Sequence, residues 1–141
     1  MFTKTTGELM DELMQSHSFS EYYKENSCHF INVVLHIYLS KLLDKFELTK
    51  TDVIRKSELS EVYGYQIFSG HRKPSRDSLL CICIAMQLSL NEIQSILKVA
   101  GLAVLYPKNE RDSLIIIGIN NHHSVAEINT DLYDNKFDTL N

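Results

Sequence analysis

The apolar positions recur at helical spacing along most of the chain. In "TTGELMDELMQS" Leu9, Met10, Leu13 and Met14 form a stripe, which predicts a helix over about 7–16 with Thr6 as its cap. A short helix is expected after Ser20, in "SEYYKEN". Ile31, Val34, Leu35, Tyr38 and Leu42 predict the next helix, over 30–45. Thr49 stands where an N-cap belongs, before a short helix 50–56 with Asp52 in its first turn, where a negative charge suits the helix dipole. Ser60 precedes a helix 61–68, with Val62, Tyr65 and Gln66 on one side and Gly70 at its stop. Ser75 caps a helix opened by Arg76 and Asp77, with its apolar body over 79–88. Ser89 caps another, with Ile93, Ile96, Leu97 and Ala100 on its core face and Gly101 at its end. "YPKNERDSLIIIGINN" is read as a helix after Pro107. Its β-branched run also suits a strand, but Asn109 is placed as a cap. Ser124 caps the last helix, in "SVAEINTDLYDN". An all-α chain is expected.

Two prolines and five glycines in 141 residues agree with long helices rather than a turn-rich β fold. That length suits one domain and buries a core without staples. No apolar run reaches the roughly 18 residues of a membrane span, and the N-terminus has no signal-peptide core, so a cytoplasmic protein without membrane attachment is expected. Cys81 and Cys83 lie in an apolar stretch and are expected in the core. Cys28, His29 and His71 lack metal-ligand spacing, and His122 and His123 are read as loop. No phosphate-cradling glycine loop, paired metal motif or nucleophile elbow is present. Neither an enzyme nor a bound cofactor is expected.

Charge alters this picture. The net charge is −4, which by itself argues against a nucleic-acid partner. Yet residues 48–76 hold six cations against three acids, between flanks that are both acidic. A basic centre at a helix pair is an electrostatic footprint for phosphate.

Two short helices joined by Ser57–Ser60 have helix-turn-helix spacing. Residues 48–79 resemble the phage-repressor and Cro class of DNA-binding domains, the XRE family. The resemblance rests on Leu48-Thr49-Lys50, Leu59-Ser60, Ile67, Ser69-Gly70, Arg72-Lys73-Pro74-Ser75 and Leu79. It implies a five-helix, lambda-repressor-like domain over 30–104, an N-terminal helical arm over 1–29 and a C-terminal helical extension over 105–141. It further implies that the third helix reads bases through Ser60, Glu61, Val62, Tyr65 and Gln66. Gln66 suits adenine, Val62 a thymine methyl, and Glu61 cytosine N4. Lys50, Tyr63, Arg72, Lys73 and Arg76 would bind phosphates.

The chain departs from the family pattern at four positions. Ile54 stands where a small residue is usual, Glu58 where glycine is, Gly64 where an apolar residue is, and Glu61 brings an acid to the DNA face. The function implied is a transcriptional regulator, a repressor, that binds a double-stranded operator as a homodimer. The acidic terminal helices are expected either to dimerise or to receive a regulatory protein partner. Glu58 and Glu61 keep a second reading open, a protein-interaction module that has lost DNA binding.

Overall fold

The computed structural model describes residues 4–16, 18–20, 22 and 34–141. Among these residues there are eight α-helices and no strand. The chain divides into two compact units, Met1–Val33 and Val34–Asn141.

In the first unit, α1 spans Thr6–Gln15. Its cap is Thr5 rather than Thr6, because Thr5 has a glutamate three residues on. The Thr5 hydroxyl accepts from the Glu8 amide and the Glu8 carboxylate accepts from the Thr5 amide. Lys4 pairs with Glu12. Leu9 is half-buried, while Met10, Leu13 and Met14 are exposed. The helix expected after Ser20 lies almost wholly outside the described residues, as do Ile31, Cys28 and His29.

In the second unit, α2 is Leu35–Lys45, α3 Lys50–Lys56, α4 Glu61–Ser69 and α5 Arg76–Ala85. After them come α6 Leu90–Val99, α7 Glu110–Asn120 and α8 Val125–Asp134. The helix expected from residue 30 begins five residues later. Val34 sits in the left-handed region at φ 78°, which no helix passes through. Its buried face is correspondingly Leu39, Leu42 and Leu43, with Leu35 packed beside them and Tyr38 outside. "LIIIGI" is helix, in α7, capped by the Asn109 side-chain Oδ1 accepting from the Asp112 amide. Ser60, Ser75, Ser89 and Ser124 each cap the helix expected of them, and so does Thr49.

α5 is the central element. Every residue from Leu79 to Ala85 is buried, and the helix packs on α3, α6 and α8. Cys81 and Cys83 are core residues. Burial, reinforced by Asp77 and Glu58, pushes the Cys81 thiol up to about 12, and burial pushes Cys83 up as well. Both are unreactive at neutral pH. The residues of α7 and α8 do not form a separate body. Ile115, Ile119, Val125, Ile128, Leu132 and Leu140 belong to the same core cluster as α2–α6.

Helix stops follow a rule that glycine content alone does not reveal. A residue in the left-handed region follows each of α2, α3, α5, α6, α7 and α8, and only Gly101 among these is glycine. The others are Glu47, Glu58, Gln87, His122 and Lys136. Most are closed by a backbone bond from the next residue to a carbonyl five residues back, as in Leu48 to Leu43, Leu102 to Leu97 and Phe137 to Leu132. The Leu and Phe side chains at those positions pack on the core and hold the stop. Glu58 differs. Here the buried Ser57 hydroxyl donates to the Ile54 carbonyl at 2.6 Å and accepts from the Leu59 amide at 3.3 Å. The Asn141 side-chain amide donates to the Glu58 carbonyl at 2.8 Å.

Glu58, at φ 65°, has its side chain exposed, so only its backbone conformation matters there. Glu58→Gly removes the left-handed penalty and loses some in extra freedom of the unfolded chain. It should stabilise the protein by about 1 kcal/mol, or raise the Tm by roughly 3 °C. A lower melting temperature by calorimetry would show that the glutamate side chain contributes to the turn.

Candidate nucleic-acid interface

α3 and α4 are joined by the turn Ser57–Ser60 and pack closely against each other. The contact that sets their separation is Ile54 against Gly64. Both are buried, and a Cβ built on Gly64 would lie 2.6 Å from Ile54 Cγ2 and 2.9 Å from Cγ1. Two of the four departures from the family pattern are therefore one feature. The large residue on α3 occupies the space that the missing side chain on α4 leaves.

With Gly64, Ile67 and Phe68 turned inward, the opposite side of α4 faces solvent. Glu61 is exposed and has no ion pair among the described residues. Val62 is 70% exposed and Tyr65 37%. Gln66 is half-buried beside them. Ser60 is exposed, but its hydroxyl oxygen accepts from the Tyr63 amide, which fixes it as a cap. A shallow depression brings together Glu61, Val62, Tyr65 and Gln66 with Lys50 and Ser69. A second lies between α3 and α4, lined by Thr51, Ile54, Arg55, Leu59, Glu61 and Tyr65.

Lys50 borders this face, and two more cations follow α4 in the chain. The Lys50 ammonium, at the start of α3, lies 6.0 Å from the centre of the Phe68 ring. Gly70, at φ 84°, ends α4, and the His36 ring occupies the space where its side chain would be. The loop then turns into Arg72 and Lys73, both exposed and free of carboxylate partners among the described residues. The Arg72 guanidinium sits 5.7 Å from the Tyr63 ring centre. Tyr63 is half-buried and packed on the core, so its ring acts as a platform for Arg72. Lys50 therefore borders the face, Arg72 is held over Tyr63 of α4, and Lys73 is exposed in the loop beside it in sequence.

Arg76 does not join them. Its guanidinium donates to both oxygens of Asp112, at 3.0 and 2.6 Å, and to the carbonyls of Ala103 and Val104 at 2.9 and 3.2 Å. Four of its donors face inward, so it is a strut between α5 and the α6–α7 connection, and the phosphate role expected of it is withdrawn. Its neighbour Asp77 makes the reverse pair with Arg111, at 3.1 Å through both oxygens. Adjacent residues of α5 and adjacent residues of α7 are cross-linked with opposite polarity. Burial alone raises the Asp112 carboxyl. The hydrogen bonds from Arg76 and the Tyr106 amide, with the charges of Arg76 and Arg111, outweigh burial and hold it below the usual carboxylate range.

The structure adds contacts to the site that no motif singled out. Thr51 and Tyr65, fourteen positions apart, share a hydrogen bond of 2.9 Å between their hydroxyls. Ser69, at the far end of the same face, donates to the Gln66 carbonyl and bonds the His71 ring nitrogen. No local spacing signals the Thr51–Tyr65 contact, because it depends on how the two helices meet, whereas the Ser69 contacts lie within three residues in sequence. Among the described residues no three His, Cys, Asp or Glu side chains converge as a metal requires, and no helix is long and apolar enough to cross a membrane.

No protein-family model, curated protein or solved structure matches the chain.

Proposed function

We propose that the chain is a sequence-specific, double-stranded DNA-binding regulator, with α3 and α4 as a helix-turn-helix in a lambda-repressor-like arrangement. α4 enters the major groove, as one helix of each protomer of a homodimer. Dimers of this class read half-sites about one helical turn, roughly 34 Å, apart. The observation that carries the reading is an outward α4 face bordered by Lys50, with the exposed Arg72 and Lys73 in the loop that leaves the same helix, all three without carboxylate partners among the described residues. These cations supply affinity and register, and the face supplies selection. Nothing in the site orders a nucleophile, a base or a metal, so the proposal assigns no catalysis. Repression follows if the operator overlaps a promoter. The exposed Tyr106, Ile117 and Tyr133 add apolar surface to the C-terminal helices, where the proposal puts self-association or a regulatory protein.

The expected outcome of titrating labelled duplex DNA is binding that weakens steeply with salt. Replacing Arg72 and Lys73 together by alanine should lower affinity by one to two orders of magnitude. It should also flatten the slope of log K against log salt by about two, one unit per phosphate contact. Gln66→Ala should leave that slope unchanged and relax base preference. Absence of binding to random duplex and to selected fragments at low salt would overturn the proposal.

The second reading, a protein-interaction module, is favoured by one observation. The unpaired carboxylate of Glu61 and the exposed Val62 occupy the centre of the face, beside the half-apolar depression over Ile54 and Leu59. If DNA binding is absent, this face is the surface to test for protein capture, with Val62→Asp as the disrupting variant.

A further inference from the structure

Base reading by α4 has a chemical shortage. Its outward residues, Glu61, Val62, Tyr65, Gln66 and Ser69, include no arginine or lysine. Hydrogen-bond donors to base acceptors must come from the Gln66 amide or from hydroxyls. Ser69 is already engaged with the Gln66 carbonyl and His71. Tyr65 is engaged with Thr51 on the neighbouring helix.

The Thr51–Tyr65 bond is unlike the Ser69 contacts in one respect. A threonine and a tyrosine hydroxyl together carry two hydrogens, and the bond between them uses one. Whichever oxygen donates, one hydroxyl hydrogen is left over. It is held at a defined place, because Thr51 stands on α3 and the phenol is tied back to it. Both side chains line the same depression as Glu61, at the edge of the outward face. The Ile54–Gly64 contact keeps α3 and α4 close enough for two short reaches to meet.

We infer that Thr51 is a positioning residue for base selection: with Tyr65 it presents one fixed hydroxyl donor to an acceptor on a base edge, a purine N7, guanine O6 or thymine O4. This rests on the DNA-binding reading and adds to it a residue on the second helix that sequence position does not mark. Without Thr51 the phenol swings about its χ1 and χ2 bonds, and its donor has no preferred target. Tyr65 would then still add stacking area and still favour DNA, but it would no longer choose.

The test is selection of bound duplexes from a random library by the wild-type chain and by Thr51→Val, Thr51→Ser, Tyr65→Phe and the Thr51→Val/Tyr65→Phe double variant. Thr51→Val keeps the shape and removes the hydroxyl, and Thr51→Ser restores it. The wild type should discriminate at one base-pair position by about fivefold through this donor, the weight of one neutral hydrogen bond. Thr51→Val and Tyr65→Phe should each flatten that same position, and the double variant should do no more than either. Thr51→Ser should keep the wild-type preference. Salt slope and melting temperature should stay as in the wild type, so that loss of choice is separated from loss of fold. Three results would overturn the inference with DNA binding intact: unchanged preference in Thr51→Val, flattening at a different position from Tyr65→Phe, or additive losses. If the wild type enriches no sequence, the DNA-binding reading fails and the inference fails with it.

Discussion

Gly64→Ala is expected to destabilise the protein by about 2 kcal/mol, although alanine is the better helix former by about 1 kcal/mol. The new Cβ would lie 2.6 Å from Ile54 Cγ2 and 2.9 Å from Cγ1, distances that nonbonded carbons do not tolerate. Ile54 is itself 3% exposed, and the atoms met are its Cγ2, Cγ1 and Cβ, close to the backbone rather than at the far end of a flexible side chain. Overpacking of this kind costs roughly 1–3 kcal/mol, and here it acts where two helices touch, so the helices must move apart to relieve it. Ile54→Ala alone should cost about 3 kcal/mol, the loss of a buried side chain with the cavity it leaves. The informative protein is the double variant. With Ile54 reduced to alanine, the methyl at position 64 enters vacated space. Its instability should then fall well short of the roughly 5 kcal/mol reached by adding the single losses. Urea denaturation of the four proteins measures the coupling. Strict additivity would mean that the two side chains do not share the contact. The same series bears on function, because spreading α3 from α4 separates Thr51 from Tyr65.

That pair also shows where reading a sequence stops. Ile54 and Gly64 each look like a fault when compared with the family pattern one position at a time. Their compensation lies across an interface between residues ten apart, and neither carries a local sign of the other. Helix starts are different. A cap and the amide it satisfies lie three residues apart, so Thr49, Ser60, Ser75, Ser89, Asn109 and Ser124 are all legible before any fold is known. Even the slip from Thr6 to Thr5 is local, since only Thr5 has a glutamate at the capping-box position. Helix stops are less legible. Glycine announces two of them, but Glu47, Glu58, Gln87, His122 and Lys136 take the left-handed conformation without announcing it. What stabilises most of these stops is the apolar residue that follows, whose burial is tertiary. The register of α2 was obscured in the same way, because Val34 fits the apolar period but not the backbone. In the site, the outward face of α4 follows from helical spacing. The roles of Tyr63, Thr51 and Arg76 do not, since each depends on a partner brought in from elsewhere.

Arg76 illustrates this most sharply, and it carries the other large expected effect. Spacing alone groups it with Arg72 and Lys73, but its partner is Asp112, thirty-six residues away. The carboxylate side chain is 8% exposed and the guanidinium 22%. Asp112→Ala should destabilise the fold by about 3 kcal/mol, because it leaves the arginine charge in a poorly hydrated place. Arg76→Ala should cost a similar amount for the opposite reason. Replacing both, as Arg76→Met with Asp112→Leu, should recover most of the loss, since neither charge then remains unpaired. The pH dependence has a fixed sign. Asp112 has its carboxyl lowered on folding, so the folded chain holds its proton less tightly than the unfolded one. Its contribution is complete above the ordinary aspartate range, near pH 4, and is lost as pH falls through the lower folded value. Glu127, held down by the Ser124 amide and hydroxyl at the start of α8, acts in the same direction. The wild type should therefore lose stability below about pH 4, and Asp112→Asn should lose less over the same window. Measured at neutral pH, Arg76→Ala should change the salt slope of DNA binding far less than Arg72→Ala does, once both are compared at temperatures where each is folded. A full unit of slope lost with Arg76, and no change in melting temperature, would return it to the phosphate-binding set and remove it from the frame.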